Sequence, residues 1–235
     1  MSQPEKTPQF EQTIIAIDGP AGSGKSSVAQ AVADHLNLVY LDSGSVYRAV
    51  TLLFLRNGFE AGDDPAGLLP LLTKCDIDLR KTAGGVNIFI DGEDITSAIR
   101  GRKVTSNVSE VAGHLRVREI ATRKLREFAK GKGVVMDGRD IGTVVFPDAD
   151  VKIYLTASLD ERARRRQADL KDAAKGFQFE EIKKELAARD KYDSERKIAP
   201  LRQAPDAIHL DTSGMRQDEV VQGIINKYES LICHS

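Results

Sequence analysis

Short apolar runs alternate with longer stretches of helical periodicity along this chain. The short runs are rich in β-branched residues and predict buried strands at residues 13–17, 38–41, 134–136, 151–155 and 207–210. Elsewhere apolar residues recur every three or four positions, as Val28, Val32 and Leu36 do, which predicts helices there and at 45–55 and 216–232. Continuous apolar strands joined by helices indicate an α/β fold, with helices on both faces of a five-stranded parallel sheet.

The middle of the chain breaks this alternation. Apolar runs at 77–80 and 86–90 flank a Thr-Ala-Gly-Gly turn, which predicts a β-hairpin, and helical spacing follows it. We therefore predict that residues 68–130 form an inserted subdomain, a hairpin plus helices, within a single domain of residues 13–235. Residues 1–12 are predicted to be a polar tail.

Composition and charge narrow the functional classes. With 235 residues, 41% of them hydrophobic and 29% charged, the chain is an ordinary globular domain. A net charge of −1 gives no reason to expect a nucleic-acid partner, because such proteins neutralise many phosphates. Neither a membrane span nor an apolar signal peptide is apparent, so we expect a cytoplasmic protein with no membrane partner. Cys75 and Cys233 are expected to be unpaired thiols, and the histidines lack the spacing of a zinc site.

A glycine-rich segment lies between the first predicted strand and the first predicted helix. From Gly19 to Ser26 it matches G-x-x-x-x-G-K-[ST], a loop whose backbone N–H groups surround the phosphates of a nucleoside triphosphate. Lys25 is expected to contact the β- and γ-phosphates, and the Ser26 hydroxyl a Mg²⁺ ion. Asp137 ends a predicted buried strand, as an acid that holds Mg²⁺ through water does. The candidate triphosphate-binding residues are Gly19, Pro20, Ala21, Gly22, Ser23, Gly24, Lys25, Ser26 and Ser27.

Arginines are concentrated in the second half of the chain. Phosphoryl transfer between two nucleotides brings two polyanions together, and guanidinium groups suit phosphate better than ammonium groups do. One helix cannot direct Arg164, Arg165 and Arg166 to the same side, so some of them must face solvent, whereas Arg162 shares a face with Arg165 or Arg166. The arginines in question are Arg139, Arg162, Arg164, Arg165, Arg166, Arg189 and Arg196.

Six segments in order resemble the bacterial cytidylate kinase family and together cover nearly the whole chain. They are IDGPAGSGKSS (17–27), LDSGSVYR (41–48), VSEVAGHLRVRE (108–119), DGRDIGTVVFP (137–147), ERARRR (161–166) and RDKYDSERKIAPL (189–201). The most specific pieces are DSGSVYR and DGRDIGTVVFP. One departure concerns the two residues after the loop lysine, where the family often has Gly-Thr and this chain has Ser26 and Ser27, either of which could serve the metal.

The resemblance implies a P-loop kinase core with an enlarged monophosphate-binding insert and a helical lid at about 158–175. It implies direct in-line phosphoryl transfer from MgATP to CMP or dCMP, so that ATP and Mg²⁺ are required, and it implies a monomer. In the family's pattern Asp140 would accept from the cytosine amino group, while Arg118 and Ser109 would donate to N3 and O2. Uracil would mismatch the first two of these bonds.

The remaining roles implied by the resemblance concern sugar and phosphate. Arg189 and Asp193 would hold the ribose hydroxyl groups. The α-phosphate would be surrounded by Ser43, Tyr47, Arg48, Arg139 and Arg196. The residues expected to stabilise charge during transfer are Lys25, Arg139, Arg162 and Arg166.

Three other classes share the phosphate-binding loop. Adenylate, thymidylate or shikimate kinases would carry different residues in place of DSGSVYR and DGRDIGTVVFP. A GTP-binding switch would need an N-K-x-D segment, but Asn226-Lys227 is followed by Tyr228 and Glu229 within a predicted helix. A non-catalytic nucleotide-binding module would not need the intact lysine and arginines. The sequence leaves open the ratio of CMP to dCMP turnover, residual UMP activity and the preferred donor.

Overall fold

A computed structural model describes residues 12–60, 63–170 and 178–232. The predicted tail apart from Gln12, the lid residues 171–175, and Cys233 lie outside this range. No helix in the described part of the chain is long and apolar enough to cross a membrane.

Numbered in chain order, the strands are β1 Ile14–Asp18, β2 Val39–Asp42, β3 Ile77–Thr82, β4 Gly85–Ile90, β5 Glu93–Asp94, β6 Val134–Gly138, β7 Val151–Thr156 and β8 Ile208–Asp211. The helices are α1 Lys25–Leu36, α2 Gly44–Arg56, α3 Leu71–Lys74, α4 Arg102–Gly113, α5 Leu115–Ala129, α6 Leu159–Leu170, α7 Phe179–Glu195 and α8 Gln217–Ile232.

The central sheet has five strands in the order β2-β6-β1-β7-β8, and every neighbouring pair is parallel. The predicted α/β fold is confirmed, and each of these strands begins within one residue of its predicted start. The register pairs Ile17 with Asp137 and Asp18 with Gly138. The loops that leave β1 and β6 therefore start side by side at the carboxyl edge of the sheet, where parallel α/β sheets bind their ligands.

Helices cover both faces of the sheet, which is why its strands are apolar throughout. On one face Ile15 and Ile17 pack with Val32 of α1 and Ile224 of α8. On the other face Met136 belongs to a larger core that α2, α5 and the second sheet complete. Burial of one such side chain stabilises the fold by about 1.5–3 kcal/mol, so the two cores hold the carboxyl edge of the sheet firmly in place.

The second sheet consists of β3, β4 and β5, all antiparallel. β3 and β4 pair as far as Thr82 and Gly85, so the turn contains only Ala83 and Gly84, and the predicted hairpin is confirmed. The pattern analysis did not find β5, because its two residues are both acidic and carry no apolar alternation.

The two helices after the second sheet are separated by a single residue. His114 has extended backbone angles (φ −78°, ψ 130°), which end α4, and its ring nitrogen accepts the backbone N–H of Arg116 at the start of α5 at 3.3 Å. The break frees the carbonyl of Ala112 near the end of α4, and Arg118 of α5 donates to it at 3.0 Å. This junction therefore directs Arg118 back towards the sheet edge.

Candidate active site

The glycine-rich loop leaves β1 and enters α1 with backbone angles that favour glycine. Gly19 has φ 150°, and a Cβ atom at this position would lie 2.0 Å from the carbonyl oxygen of Leu155 on β7. Gly24, at the start of α1, has φ 89°. A side chain at Gly19 would push the loop off the sheet, so the fixed glycines of the motif reflect close backbone packing as well as phosphate binding.

Lys25 is buried within the loop that it follows. Its ammonium group donates to the Pro20 carbonyl oxygen at 2.5 Å and to the Ser23 hydroxyl at 3.3 Å. Burial lowers the pKa of Lys25 well below its ordinary value, and the positive charge of Arg139 lowers it further. A phosphate anion in the loop would oppose both effects, so this lysine is stabilised as a cation by the ligand that the loop is shaped to hold.

Ser26 and Asp137 are in contact across the sheet edge. The Ser26 hydroxyl donates to one carboxylate oxygen of Asp137 at 2.9 Å, and the Tyr40 hydroxyl donates to the other at 2.9 Å. Burial, and then the charge of Asp42, raises the pKa of Asp137 to about 6. The Ser27 hydroxyl instead bonds to the carbonyl of Gly24 within α1.

A hydroxyl and a carboxylate side by side form the hard oxygen donor set that suits Mg²⁺. In the described part of the chain no group of three or more His, Cys, Asp or Glu side chains is arranged to hold a metal. Between the two serines, Ser26 is the one that faces Asp137, and Tyr40 is a member of this group that the sequence patterns did not single out.

A buried polar cluster follows β6. Asp140 and Arg118 form an ion pair and hydrogen bond in which the side chains are only 4% and 5% exposed. The guanidinium carbon of Arg118 lies 5.0 Å from the ring centre of Tyr47, and Nη2 of Arg196 lies 3.7 Å from the second oxygen of Asp140. Nε of Arg118 and Nη2 of Arg196 are buried without a hydrogen-bond partner. Buried unpaired donors are costly, so their accumulation around one carboxylate indicates a pocket for a polar ligand.

A second acidic residue organises the neighbouring arginines. One oxygen of Asp193 accepts from Nε of Arg139 at 3.0 Å, and the other lies 3.6 Å from Nη1 of Arg196. Burial and then the charge of Arg139 lower the pKa of Arg189 to about 10, and Nε of Arg189 is also buried without a partner. Arg139, from the segment 137–147, thus lies together with Arg189, Asp193 and Arg196, from the segment 189–201.

The predicted residues of the second segment flank this cluster. The Ser43 hydroxyl donates to the carbonyl of Asp137 at 2.7 Å, so it lies at the start of the same loop. Arg48 donates to the Thr105 hydroxyl at 2.8 Å, and burial lowers its pKa, with the charges of Arg100, Arg166 and Arg139 contributing. Ser109 is half-buried on α4, one turn before Ala112.

The arginines of α6 have different environments. Arg162 is buried and donates to the carbonyl of Ala21 at 3.0 Å and to Asp190. Arg165 donates to the carbonyl of Ser23 at 3.2 Å, so both residues hold the backbone of the phosphate-binding loop. Arg164 is exposed and pairs with a glutamate of its own helix. Arg166 is exposed, and its charge contributes to lowering the pKa of Arg48 and of Arg189, so it lies on the side of these two arginines.

Two carboxylates of the site were missed at the level of sequence. Asp190 accepts a hydrogen bond from the backbone N–H of Ala21 at 3.0 Å and one from Arg162, so these two side chains together hold the phosphate-binding loop. Asp18 accepts two backbone N–H groups after Asp140; burial raises its pKa to about 6, although these two bonds lower it. Asp18 ends a buried strand just as Asp137 does, so the same signal could have found it. Asp190 has no such signal.

Comparisons with known proteins agree with this geometry. The model of a family described as cytidylate kinase matches residues 15–230. A cytidylate kinase from Shouchella clausii is 50% identical over 212 residues, which cover 90% of this chain and 94% of that protein. Another from Geobacillus thermodenitrificans is 50% identical over 213 residues, with the same coverage of 90% and 94%. Among solved structures, an uncharacterized protein from Eubacterium ventriosum has a TM-score of 0.53 at 15% identity, covering 93% of this chain and 99% of that one, which shows likeness of fold alone.

Proposed function

The chain belongs to the cytidylate kinase family and phosphorylates CMP and dCMP with ATP, and we propose that it does so by direct in-line transfer between the two bound nucleotides. The observation that carries this proposal is the position of two complementary loops on adjacent strands. The loop after β1 suits a triphosphate, and the buried cluster after β6 suits a base and a monophosphate. No protein nucleophile is required, because the acceptor phosphate oxygen is already anionic.

Cytosine is selected by the polar cluster around Asp140. The carboxylate of Asp140 accepts from the N4 amino group, and the unpartnered donor of Arg118 serves N3, with Ser109 donating to O2. Uracil has an acceptor, O4, where cytosine has the N4 amino donor, and a donor, N3–H, where cytosine has the N3 acceptor. A buried mismatch of this kind costs about 1–3 kcal/mol, so CMP is preferred over UMP.

The arginines and Asp193 hold the rest of the acceptor. Arg189 and Asp193 bind the ribose hydroxyl groups, and the unpartnered Nε of Arg189 supports this role. The α-phosphate lies among Arg48, Arg139 and Arg196, with Ser43 and Tyr47 completing the set. The crowding of like charges that lowers the pKa of Arg48 and Arg189 is relieved when a polyanion binds, so the site favours a phosphorylated acceptor.

Charge that develops during transfer is neutralised by Lys25, Arg139 and Arg166. Arg162 contributes indirectly: its guanidinium group donates to the carbonyl of Ala21 and so holds the backbone of the phosphate-binding loop. The loop and the lysine are therefore positioned before ATP arrives, which is the condition under which electrostatic stabilisation is most effective.

Mg²⁺ fits the pair formed by Ser26 and Asp137. The Ser26 hydroxyl would hold the ion and Asp137 would hold it through water, while Tyr40 fixes the direction of the carboxylate. The ion supplies neutralisation of the β- and γ-phosphate charge when MgATP is bound. The remaining steps depend on residues of the chain alone.

The domain organisation follows from these roles. Residues 68–130 form the monophosphate-binding insert, which supplies Arg118 and Ser109, and the described part of the predicted lid, residues 158–170, supplies Arg162 and Arg166. All proposed site residues come from one chain, so a monomer is sufficient for catalysis. We infer a cytoplasmic enzyme, because CMP, dCMP and ATP are free nucleotides.

Two measurements test this proposal. The first follows ADP release from MgATP with CMP, dCMP, UMP, AMP, GMP, dTMP or shikimate as the acceptor. Strong turnover is expected only with CMP and dCMP, and any turnover of UMP should be much slower. Turnover of another acceptor in preference to these would overturn the assignment of Asp140, Arg118 and Ser109, and slow hydrolysis that ignores every acceptor would indicate a nucleotide switch.

The second measurement compares Lys25→Met with Lys132→Met, because Lys132 lies just after α5 and its ammonium group contacts only the carbonyl and ring of Phe128 among the interactions described. Loss of the loop lysine should reduce kcat with every acceptor by at least about 100-fold, because one preorganised donor to the transferred group is removed. The control variant should retain the activity of the parent protein. Near-equal kcat values for the two variants would contradict the proposed role of Lys25.

A further inference from the structure

Asp18 is a buried carboxylate on the strand that leads into the phosphate-binding loop (residues 19–24, the donor loop), but it bonds to the loop that follows β6 (residues 139–147, the acceptor loop). It is the last residue of β1 and directly precedes Gly19. Its Oδ1 accepts the backbone N–H of Ile141 at 2.8 Å, and its Oδ2 accepts that of Gly142 at 2.7 Å. Because Asp18 is only 4% exposed, water cannot readily replace these bonds.

The two N–H groups that Asp18 receives follow Asp140 directly. They open the short helical turn Ile141–Val145, and the first N–H groups of a helix have no partner within the helix itself. A carboxylate that binds both of them fixes the peptide planes just after Asp140. The direction in which the Asp140 side chain leaves the backbone therefore depends on Asp18.

The rest of the acceptor loop is held from other elements. Arg126 of α5 donates to the carbonyls of Val144 and Val145 at 2.9 and 2.7 Å, and Lys152 of β7 bonds to the carbonyl of Pro147. These contacts lie at the far end of the loop from Asp140. In the part of the chain that the structure describes, Asp18 is the side chain that holds the end of the loop next to Asp140, and it does so through two backbone N–H groups.

Gly142 lies close to the Lys152 side chain of β7 as well as to Asp18. A Cβ atom on Gly142 would lie 3.2 Å from Cδ and Cγ of Lys152 and 3.5 Å from Oδ2 of Asp18. The distance of 3.2 Å is tighter than ordinary van der Waals contact. The glycine in the segment DGRDIG thus allows the acceptor loop to pack against Lys152 of β7.

We propose that Asp18 is a positioning residue for acceptor recognition: from the strand that leads into the phosphate-binding loop it orients Asp140, and so sets the selectivity for cytosine without contacting the nucleotide. This inference rests on the proposed function. The Asp18 carboxylate thereby connects the loop that holds ATP to the loop that recognises the base.

The decisive variant is Asp18→Asn. An asparagine has one carbonyl oxygen, and its amide group faces a backbone N–H that needs an acceptor, so one of the two bonds is lost. We expect KM for CMP to rise about tenfold and the CMP-to-UMP ratio of kcat/KM to fall by at least about fivefold, because Asp140 is no longer held in one direction. KM for ATP should change by less than about twofold, because the bonds lost are in the acceptor loop.

Asp150→Asn is the matched control. The Asp150 carboxylate accepts the backbone N–H of Ile14 at 2.8 Å, at the opposite end of β1 from Asp18. This variant should keep the CMP-to-UMP ratio of the parent protein. Equal increases of KM for ATP and CMP in Asp18→Asn, a fall in kcat alone, or unchanged constants would each overturn the proposal. The parent protein's own turnover of CMP tests the proposed function separately.

A measurement on the parent protein decides the question if Asp18→Asn and a second variant, Asp18→Ser, do not fold. Hydrogen exchange is followed at the amides of Ile141 and Gly142, with CMP or with the ATP analogue AMP-PNP. Slow exchange that CMP slows further is expected, because CMP engages Asp140 next to these amides. Exchange as fast as that of exposed loop amides would show that the carboxylate bonds are not maintained, and would overturn the proposal.

Discussion

Replacement of Asp140 by asparagine tests how the base is read. One oxygen of Asp140 is bonded to Arg118, and the other lies 3.7 Å from Arg196, so the residue is enclosed by guanidinium donors. An asparagine must keep its single carbonyl oxygen towards Arg118. Its amide N–H₂ group then occupies the position from which the carboxylate would accept the amino group of cytosine.

The size of the effect follows from this exchange of an acceptor for a donor. A buried donor that faces another donor costs about 1–3 kcal/mol, which corresponds to about 5- to 150-fold in kcat/KM for CMP. Uracil carries an acceptor at the same position, so UMP should not suffer this loss. The CMP-to-UMP ratio of kcat/KM should therefore fall by about 5- to 150-fold in Asp140→Asn.

The assay measures initial rates of ADP release at saturating MgATP over a range of CMP or UMP concentrations. Urea unfolding is measured in parallel, because neutralising one partner of a buried ion pair costs up to about 3–5 kcal/mol of stability. Asp150→Asn serves again as the control for removal of one carboxylate charge. An equal loss of kcat/KM with CMP and with UMP would refute base reading by Asp140 and leave it only a structural role.

Three further predictions concern residues around the phosphate-binding loop. Gly19→Ala should lower the free energy of unfolding in urea by about 3 kcal/mol or more, because its methyl group would lie 2.0 Å from the carbonyl oxygen of Leu155; stability within 1 kcal/mol of the parent would refute this. Asp190→Asn should raise KM for ATP about tenfold with little change for CMP, because the carboxylate that holds the N–H of Ala21 also pairs with a guanidinium group; a larger effect on CMP would contradict it. Burial raises the pKa of Asp18 from 3.8 to about 6 in the native protein, so Asp18 should contribute a fall of about 3 kcal/mol in the free energy of unfolding as the pH rises through this window. Asp18→Asn should show a shallower fall between pH 4 and 7, and parallel pH profiles for the two proteins would refute the raised pKa.

The phosphate-binding loop was predictable because its chemistry is local. Its glycines, Lys25 and Ser26 are neighbours in the sequence, and the flanking strand and helix have clear apolar periodicities. The acceptor residues were predictable only through the resemblance of whole segments to a family. Asp140 and Arg118 are 22 residues apart, and nothing in periodicity or spacing indicates that they form a pair.

The role of individual α6 arginines could not be predicted from helical spacing. Spacing correctly indicates that Arg162 shares a face with Arg165, but not that this face is turned towards the phosphate-binding loop. The direction is decided by the packing of α6 against α7, which supplies Asp190 as the partner of Arg162. Arg166 faces a different side of α6, where it is exposed and its charge acts on Arg48 and Arg189.

The sequence by itself determined the five strands of the central sheet, most helices and the phosphate-binding loop, because each depends on residues close together along the chain. Only the tertiary structure decided how the donor loop is joined to the acceptor loop. The bonds from Asp18 to Ile141 and Gly142 connect residues 123 and 124 positions apart. They exist because β6 lies beside β1 in the sheet order β2-β6-β1-β7-β8, and that order is set by the packing of every strand and helix at once.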